Sequence, residues 1–375
     1  MVIAVNCWVL RNKQLDGIGN FTVETFARLI PANPGITFLM MVDKNFTEDY
    51  FNFPNVKLHR VFPPYRHPAL YLLYMETVVP AFLRKHSPDL FLSMDGFLSL
   101  RTSCPQLPVI YDLNFEHYPQ DLKWKNRVYF RTFFKRFARK ATRIATISEY
   151  SKADIVKWYG IDPLLIDNVS CGIKEKFSPL SNDAKRLVKQ RYSANEDYFF
   201  FIGSMHPRKN IVRLIEAFDL FKKGKASKMK LVLGGHILWD DDSIKTTMDR
   251  IASKDDVVFT GRLSDEELKN LLGAALALTF VPTFEGFGLP IVEAFQAEVP
   301  VICSNTTSMP EVAGDAAILV DPFSVKEIAE AMKKMVTNEA LRNELIERGK
   351  SQKEKFTWQK TAAMLHRCIT EAVRK

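Results

Sequence analysis

The stretch YFFFIGSMHPRKNIVRLIEAFDLFKK, residues 198–223, places an aromatic run, a polar loop and an amphipathic run in succession. The run that ends at Ile202 predicts a buried strand, and the run that starts near Asn210 predicts a helix. Parallel strands need a crossover connection of this kind between them, usually a helix. The stretch therefore predicts one β–α unit of a parallel sheet.

The same alternation of strand-like and helical runs continues along most of the chain. The strand-like runs of the first half are VIAVN, TFLMMV, LFLSM, PVIYDL and RIATIS, and those of the second are YFFFIGS, KLVLGG, DVVFTG, ALTFVP, PVICS and AAILVD. The pattern restarts near Tyr198, after the turn-rich CGIKEKFSPLSND, and 375 residues exceed the size of a single core. We predict an α/β protein of two Rossmann-like, doubly wound domains that face each other across a cleft, with a boundary at about residue 178.

The composition, 47% hydrophobic and 25% charged, is typical of a soluble globular protein. No apolar run approaches the roughly 18 residues that cross a bilayer. The N-terminal MVIAVNCWVL predicts a first buried strand and not a signal peptide. The five cysteines are scattered and include no CxxC pair, which indicates a reducing compartment and no structural metal. We therefore expect a cytoplasmic protein.

Ligands of parallel α/β sheets bind at the carboxyl ends of the strands, so the residues directly after each strand are candidate site residues. In FIGSMHPRKN, Gly203 and Ser204 allow a ligand to approach the backbone, and Arg208 and Lys209 precede a helix. Two cations beside a helix N-terminus predict a phosphate site. A solvated basic loop is the alternative for this stretch taken alone.

FEGFGLPIVEAF, residues 284–295, follows the strand-like ALTFVP. Glu285 belongs to the exit loop, Pro290 fits the start of a helix, and Glu293 falls about one turn later. The tight turn between them consists of Gly286, Phe287, Gly288 and Leu289. Backbone amides of this turn could bind a phosphate or a sugar hydroxyl, and a carboxylate accepts two neighbouring hydroxyls well.

EGFGLPIVEAF resembles the E-x7-E motif of the retaining glycosyltransferases of family 4, which have the GT-B fold. Other segments resemble the same family in order and spacing: DGIGNFTVETFARL, VIYDLNFEHYP, ATISEYSKADIVKWYGI, VSCGIKEKFSP, VVFTGRLSDEEL and MPEVAGDAAILVDPFSVKEIAEAM. The resemblance covers essentially the whole chain, and ordered motifs are far more specific than E-x7-E alone.

This resemblance implies transfer of a sugar from a nucleotide-sugar donor, with a GDP or UDP carrier, to a saccharide or lipid-linked acceptor. It implies retention of configuration, no metal and no other cofactor, and a role in bacterial surface polysaccharide or glycolipid synthesis. Residues 1–177 would bind the acceptor and 178–355 the donor. Residues 356–375 would form a C-terminal helix that packs back on the first domain.

The family's functional residues can be assigned to matching positions. Arg208 and Lys209 would hold the diphosphate, and Glu285 with the Gly286–Leu289 amides would contact the donor sugar. Glu293 would bind the ribose, and Arg262 would border the nucleobase. The family's glycine loop corresponds to Gly17 and Gly19, near the phosphates or the acceptor.

One position departs from the family pattern. The family's HDL segment carries a histidine, and here the same position is Tyr111 in YDL. His117 is a candidate to replace it, or it packs as an ordinary loop histidine, and Asp112 remains available beside Tyr111. A tyrosine with a pKa near 10 is a poor base at neutral pH, so a catalytic histidine is in doubt.

The segment of residues 123–143 holds nine basic residues and no acidic one. It predicts an amphipathic helix whose phenylalanines pack on the sheet while its charges face water. The functional alternative is that its basic face contacts anionic lipids, which would make the protein peripheral on the inner face of the cell membrane. No nucleic-acid recognition motif accompanies the charge, so we predict no nucleic-acid partner.

Two further functions stay open. The chain could bind a nucleotide-sugar without transferring it, which the Tyr111 substitution favours, or it could be a nucleotide-sugar epimerase. A dinucleotide dehydrogenase is not favoured, because Gly17-Ile-Gly19 lacks the rest of GxGxxG and lies well beyond the first strand.

Overall fold

The computed structural model describes residues 1–11, 15–43, 46, 50–61, 68–223, 227–236 and 242–374. The chain forms two compact units. The first unit comprises Met1–Gly172 and Thr357–Lys375, and the second comprises Ile173–Phe356. The chain therefore leaves the first unit once and returns to it for its last helix.

The described strands and helices alternate along the chain, as the sequence predicts. The strands are β1 (Val2–Asn6), β2 (Thr37–Asp43), β3 (Val56–Val61), β4 (Leu90–Ser93), β5 (Gln106–Pro108), β6 (Ile144–Thr146), β7 (Ile166–Asn168), β8 (Tyr198–Ile202), β9 (Lys230–Gly234), β10 (Val257–Gly261), β11 (Ala277–Phe280), β12 (Val301–Ser304) and β13 (Ala317–Val320). The α-helices are α1 (Gly17–Leu29), α2 (Pro68–His86), α3 (Asn114–His117), α4 (Trp124–Lys140), α5 (Glu149–Tyr159), α6 (Asn182–Tyr192), α7 (Ile211–Lys223), α8 (Ser243–Arg250), α9 (Asp265–Ala274), α10 (Leu289–Gln296), α11 (Met309–Ala313), α12 (Val325–Thr337), α13 (Glu339–Lys353) and α14 (Trp358–Val373). Short 3₁₀ helices cover Trp8–Arg11, Pro119–Asp121, Pro163–Leu165, Pro207–Lys209 and Lys254–Asp256.

Each unit is built on a parallel sheet whose strand order reverses at its first strand. In the first unit the order is β3-β2-β1-β4-β5, and a separate pair, β6-β7, continues the layer. In the second unit the order is β10-β9-β8-β11-β12-β13. All strand pairs in the described ranges are parallel. This is the predicted doubly wound topology, and it puts one switch point at β1/β4 and another at β8/β11.

The central strands are apolar because helices cover both faces of a parallel sheet. In β8, Phe199, Phe200 and Phe201 are completely buried, and in β1 the run Ile3–Val5 is completely buried. In β1 the polar residue, Asn6, stands at the carboxyl end of the strand.

The C-terminal helix α14 packs against α1 and the strands of the first unit, as predicted. Two acidic residues of the first unit, Asp167 and Glu371, share one guanidinium: Arg143 Nη2 lies 2.8 Å from the Asp167 carboxylate and 2.9 Å from that of Glu371 on α14. Phe21 of α1 meets the Trp358 ring at 5.8 Å. Apolar packing and a largely buried ion pair thus hold α14 in place.

None of the helices in the described ranges carries an apolar stretch long enough to span a bilayer.

Close packing at the start of α14 makes Gly172 sensitive to substitution. A Cβ atom at Gly172 would lie 2.2 Å from the Trp358 backbone nitrogen, far inside van der Waals contact. We expect Gly172→Ala to lower the free energy of unfolding by about 1–3 kcal/mol, because the backbone must shift to accept the methyl group. Gly35→Ala is the control, since a Cβ there meets nothing within 4 Å. Thermal melts of both variants test this, and equal melting temperatures would contradict the packing described.

Candidate functional site

The loops that follow β8 and β11 are joined at the switch point of the second unit. The Thr283 amide donates to the Arg208 carbonyl over 2.8 Å, and the Thr283 hydroxyl donates to the same oxygen over 3.2 Å. Asn210 supports the β8 loop with two side-chain hydrogen bonds, to the carbonyls of Val281 (3.0 Å) and Pro322 (2.6 Å). The predicted basic loop and the predicted acidic loop are therefore one structural element.

Within this element, Arg208 and Lys209 converge on Glu285. Arg208 Nη1 lies 2.6 Å from Glu285 Oε1, and the Lys209 ammonium bonds to the same oxygen. Arg208 also donates to the Phe284 carbonyl over 3.2 Å, and the Lys209 ammonium lies 5.0 Å from the centre of the Phe280 ring. Two cations and one carboxylate leave a net positive charge at the carboxyl end of the sheet.

The electrostatic state of Glu285 follows from its surroundings. Burial alone would raise the pKa of the Glu285 carboxyl group, but Lys209 and then Arg208 outweigh burial and hold the pKa below its ordinary value. Glu285 is therefore ionised at neutral pH.

The Ser308 side chain contacts the turn between Glu285 and α10 and holds its conformation. The buried Ser308 hydroxyl lies 2.9 Å from the Glu285 carbonyl and 3.1 Å from the Phe287 carbonyl. Gly288 has a φ angle of 103°, a left-handed conformation that favours glycine, and a Cβ there would collide with the Met309 side chain. Ser308 was not among the predicted residues, although its position soon after the strand-like PVICS could have signalled it.

Helix α10 begins at this turn without a side-chain cap. Gly288 is the N-cap residue, Leu289 is the first helical residue, and Pro290 takes the second position where the sequence placed it first. The amides of the first turn are thus not capped by a side chain, and the positive end of the helix dipole lies at the Gly286–Leu289 turn.

Glu293 lies in α10 with its side chain partly exposed. Burial raises the pKa of the Glu293 carboxyl group, Lys176 and Lys174 lower it, and Asp265 raises it, which together bring it to about 7. Lys176 is itself paired with Asp265 at 2.5 Å. The protein therefore keeps an incompletely compensated carboxylate one turn into the helix.

The other predicted donor residues line the same edge of the sheet. Gly203 follows β8, and a Cβ there would lie 3.6 Å from the Lys209 side chain. Ser204 accepts a hydrogen bond from the His206 amide through its carbonyl, over 2.8 Å. Arg262 is exposed at the end of β10, two strands along the sheet from β8. The structure brings Gly203 to Lys209 and leaves Arg262 further along the edge.

The predicted residues of the first unit occupy three separate settings. Gly17 and Gly19 do not form a loop: they lie in the first turn of α1, because the Asp16 side chain caps the helix by accepting from the Gly19 amide over 2.9 Å.

The Tyr111 ring packs edge-on against Phe21 at 5.4 Å. The Tyr111 hydroxyl is buried, with no hydrogen bond of ordinary geometry in the described part of the chain, and burial raises its pKa well above 10. Tyr111 is therefore protonated at neutral pH.

His117 ends the short helix α3 and pairs with α5. Its Nε2 lies 2.8 Å and 2.9 Å from the two carboxylate oxygens of Asp154, and its ring meets Trp158 at 5.4 Å. The Asp112 carboxylate accepts from the Asn114 amide at the start of α3, over 2.9 Å. The packing partner of His117 is therefore an acidic residue that the sequence did not reveal.

Among the described residues, no three histidine, cysteine, aspartate or glutamate side chains come together as a metal site would require. The acidic run at residues 240–242 falls partly outside the described residues.

Two family models match the chain. One, glycosyl transferases group 1, matches residues 184–352, and the other, glycosyltransferase family 4, matches residues 17–177.

Curated relatives with sequence similarity include three bacterial mannosyltransferases. O-antigen chain mannosyltransferase B of Escherichia coli is 33% identical over 58% of this chain and 58% of its own length. Serotype-specific mannosyltransferase WbdA of Escherichia coli is 29% identical over 76% of this chain and 35% of its own. O-antigen chain mannosyltransferase RfbU of Salmonella typhimurium is 28% identical over 61% of this chain and 60% of its own. The chain thus matches less than two thirds of the length of these relatives.

Solved structures share the fold at low identity. The chain is similar to sucrose-phosphate synthase from Thermosynechococcus elongatus with a TM-score of 0.79 and 18% identity, covering 99% of this chain and 98% of that one. It is similar to WaaG, a glycosyltransferase involved in lipopolysaccharide biosynthesis, with a TM-score of 0.75 and 16% identity, covering 98% and 99% of the two chains. Both likenesses extend over essentially the whole chain.

The raised pKa of Glu293 predicts a stability effect that depends on pH. The carboxyl group titrates near 7 in the folded protein and near 4.5 in the unfolded chain. Between these values the unfolded chain releases its proton while the folded protein keeps it, so folding stability falls as the pH rises. We expect the melting temperature of Glu293→Gln to equal that of the wild type near pH 4 and to exceed it above pH 7. Glu330→Gln, on an exposed face of α12, is the control. A melting difference that does not change with pH would contradict the environment described for Glu293.

Proposed function

The chain belongs to the glycosyltransferases of group 1 and family 4 and has their GT-B fold, and we propose that it transfers a sugar from a nucleotide-sugar to a saccharide or lipid-linked acceptor with retention of configuration. In this proposal the second unit binds the donor and the first unit binds the acceptor. The observation that carries it is the pair of joined loops after β8 and β11, where Arg208 and Lys209 lie beside an uncapped helix N-terminus.

The chemistry of sugar transfer explains why this arrangement suits a donor. Breaking the bond between the anomeric carbon and the phosphate develops negative charge on the departing diphosphate. Two side-chain cations and the amides of an uncapped helix N-terminus at that position would stabilise the transition state more than the ground state. The same charges could replace a divalent ion, so we propose that transfer needs no metal.

The two glutamates would then have different roles. Glu285 would hold both cations in place before the donor binds. Its second oxygen, Oε2, would accept a hydrogen bond from a hydroxyl group of the donor sugar. Glu293 would accept from the ribose hydroxyls, for which an ionised carboxylate is the better acceptor. Because the pKa of Glu293 is about 7, donor affinity should fall as the pH decreases below that value.

The relatives support a more specific substrate class. Three of them are named as O-antigen or serotype-specific mannosyltransferases, so we propose a mannosyl donor and a growing surface polysaccharide as the acceptor. Incubation with GDP-mannose, UDP-glucose and UDP-N-acetylglucosamine, each with and without α-mannosyl acceptors, tests this. Transfer from one donor only to an added acceptor is expected. Conversion of the donor without any acceptor would indicate an epimerase, and binding without turnover would indicate a binding protein.

Removing one cation should slow sugar transfer sharply. We expect Lys209→Ala to lower the turnover rate by about 100- to 1,000-fold, because the diphosphate loses a preorganised charge. Lys222→Ala is a matched control, since the Lys222 side chain is 13% exposed against 11% for Lys209 and also pairs with a carboxylate, that of Asp256 at 2.7 Å. Steady-state kinetics with purified protein measure both. Turnover equal to wild type in Lys209→Ala would rule out this assignment of the diphosphate site.

The exposed residues of helix α4 favour the proposal of a lipid-linked acceptor at a membrane. Its buried residues are Phe134, Phe137 and Ala138, whereas Trp124 is 64% and Val128 53% exposed. These two apolar side chains are one helical turn apart and stand among exposed basic residues such as Lys125 and Arg127. Apolar side chains framed by cations suit an anionic lipid surface, so we propose that α4 contacts the inner face of the cell membrane.

The membrane contact can be measured with lipid vesicles. We expect binding to vesicles that contain phosphatidylglycerol, and a loss of about 5-fold or more in Trp124→Ala and in Arg127→Glu. Leu164→Ala is the control, because Leu164 is 77% exposed but lies outside α4. Co-sedimentation reports the bound fraction. Equal binding to neutral phosphatidylcholine vesicles, or no effect of either α4 substitution, would contradict the proposal.

A further inference from the structure

The switch point of the first unit carries a polar cluster at the same topological position as the donor-side site of the second. Asn6 ends β1, and it pairs in register with Ser93, which ends β4. Asp95 lies two residues after Ser93, in the loop after β4, and Glu285 likewise lies in the loop after β11. In doubly wound sheets the crevice at such a switch point is where ligands bind.

Four hydrogen-bond donors converge on the Asp95 carboxylate. Its Oδ1 accepts from the Ser93 hydroxyl (2.7 Å), the Asn6 side-chain amide (3.1 Å) and the Phe97 backbone amide (3.3 Å). Its Oδ2 accepts from the Tyr71 hydroxyl, which in turn accepts from the Asn6 amide over 2.8 Å. Tyr71 belongs to α2, so the cluster joins two strands and a helix.

The donors in this cluster are all neutral. Within the described ranges no lysine or arginine forms an ion pair with Asp95. Burial raises the pKa of its carboxyl group, although the hydrogen bonds from Tyr71, Ser93 and Phe97 work in the opposite direction. A carboxylate held by neutral groups alone is expensive to bury, and a purely structural role would be served at lower cost by an amide or an apolar residue.

The Asp95 carboxylate lies beside an aromatic wall. Asp95, Trp8 and Phe97 are partly exposed, whereas Asn6 and Tyr71 are buried beneath them. The Trp8 ring stacks on Tyr71 at 5.0 Å and also carries the Arg11 guanidinium 4.5 Å from its centre, and the Phe97 ring meets Tyr71 edge-on at 5.0 Å. A carboxylate acceptor bordered by rigid aromatic surface suits a ligand with hydroxyl groups and apolar C–H faces.

We propose that Asp95, positioned by Tyr71 and bordered by Trp8, binds a hydroxyl group of the saccharide acceptor. This inference rests on the proposed function, since it takes its ligand from the transfer reaction. The contrast with the second unit supports the choice of ligand. There the carboxylate after the fourth strand is neutralised by two cations and the site is net positive, as a diphosphate requires. Here the carboxylate meets neutral donors only, which disfavours an anion and favours a neutral polyol.

The proposal is tested by the effect of substitutions on each substrate separately. We expect Asp95→Asn to raise the acceptor KM by about 10- to 100-fold, because a charged hydrogen bond to the acceptor is lost. The donor KM should stay as in wild type. Tyr71→Phe, which keeps the carboxylate but releases it from α2, should raise the acceptor KM by a smaller factor.

A matched control is available in the same unit. Tyr159 donates its hydroxyl hydrogen to the Glu116 carboxylate over 3.2 Å, which is a second buried tyrosine–carboxylate pair. Tyr159→Phe should therefore cost comparable stability and leave the acceptor KM unchanged. If Asp95→Asn does not fold, the comparison of Tyr71→Phe with Tyr159→Phe decides. An acceptor KM that is the same in both, or a donor KM that rises as much as the acceptor KM, would overturn the proposal.

Direct binding separates this proposal from the proposed function. The wild-type protein is titrated with α-linked mannobiose, without donor, by calorimetry or ligand-observed NMR. Binding that Asp95→Asn abolishes and Tyr159→Phe preserves would support the subsite even if no sugar transfer occurs. Sugar transfer with a wild-type acceptor KM in Asp95→Asn would reject the subsite while the proposed function stands. Binding of a divalent cation such as Mg²⁺ in place of the saccharide would also overturn it.

Discussion

The ion pairs of Glu285 with Arg208 and Lys209 hold together the two loops on which the proposed donor site depends. Two cations this close would repel each other, and the shared carboxylate makes their proximity stable. Because all three side chains are mostly buried, their interaction is only weakly screened, and removing the carboxylate would leave two charges uncompensated. In the proposed function an incoming diphosphate would compete with the Glu285 carboxylate for the same two cations.

The carboxylates of Glu293 and Asp95 reduce the stability of the folded protein, unlike that of Glu285. Burial raises the pKa of Glu293 and of Asp95, which means that folding opposes their ionisation. The fold tolerates both because its stability comes from elsewhere: from apolar strands such as β8 and from the packing of α14 on the first unit. Groups that destabilise a protein and persist at a crevice are typical of sites kept for binding.

Sequence patterns predicted the features that depend on neighbouring residues. The alternation of strands and helices, the two loops at β8 and β11 and the return of α14 follow from local hydrophobic periodicity and from family motifs, and the structure has them all. Contacts between distant residues were not predictable. Asp95 follows a predicted strand and could have been a candidate, but its partner Tyr71 is 24 residues away, and the partner of His117, Asp154, is 37 residues away. Gly17 and Gly19 lie in a helix because the Asp16 side chain caps it, which glycine content alone did not indicate. The roles assigned to the site residues and domains remain predictions.

The two proposed sites show that topology can fix the place of a ligand without fixing its identity. Both sheets have the same strand order around their first strand, and both place a carboxylate after the fourth. What differs is how the cations after the first strand are used: in the second unit Arg208 and Lys209 pair with Glu285, whereas in the described part of the first unit Arg11 lies over the Trp8 ring and forms no ion pair with Asp95. A net charge of +9 says nothing about this difference, since much of it comes from the segment of residues 123–143. In both proposals the identity of the ligand would therefore be set by a few side chains next to one strand, on a scaffold that the two units share.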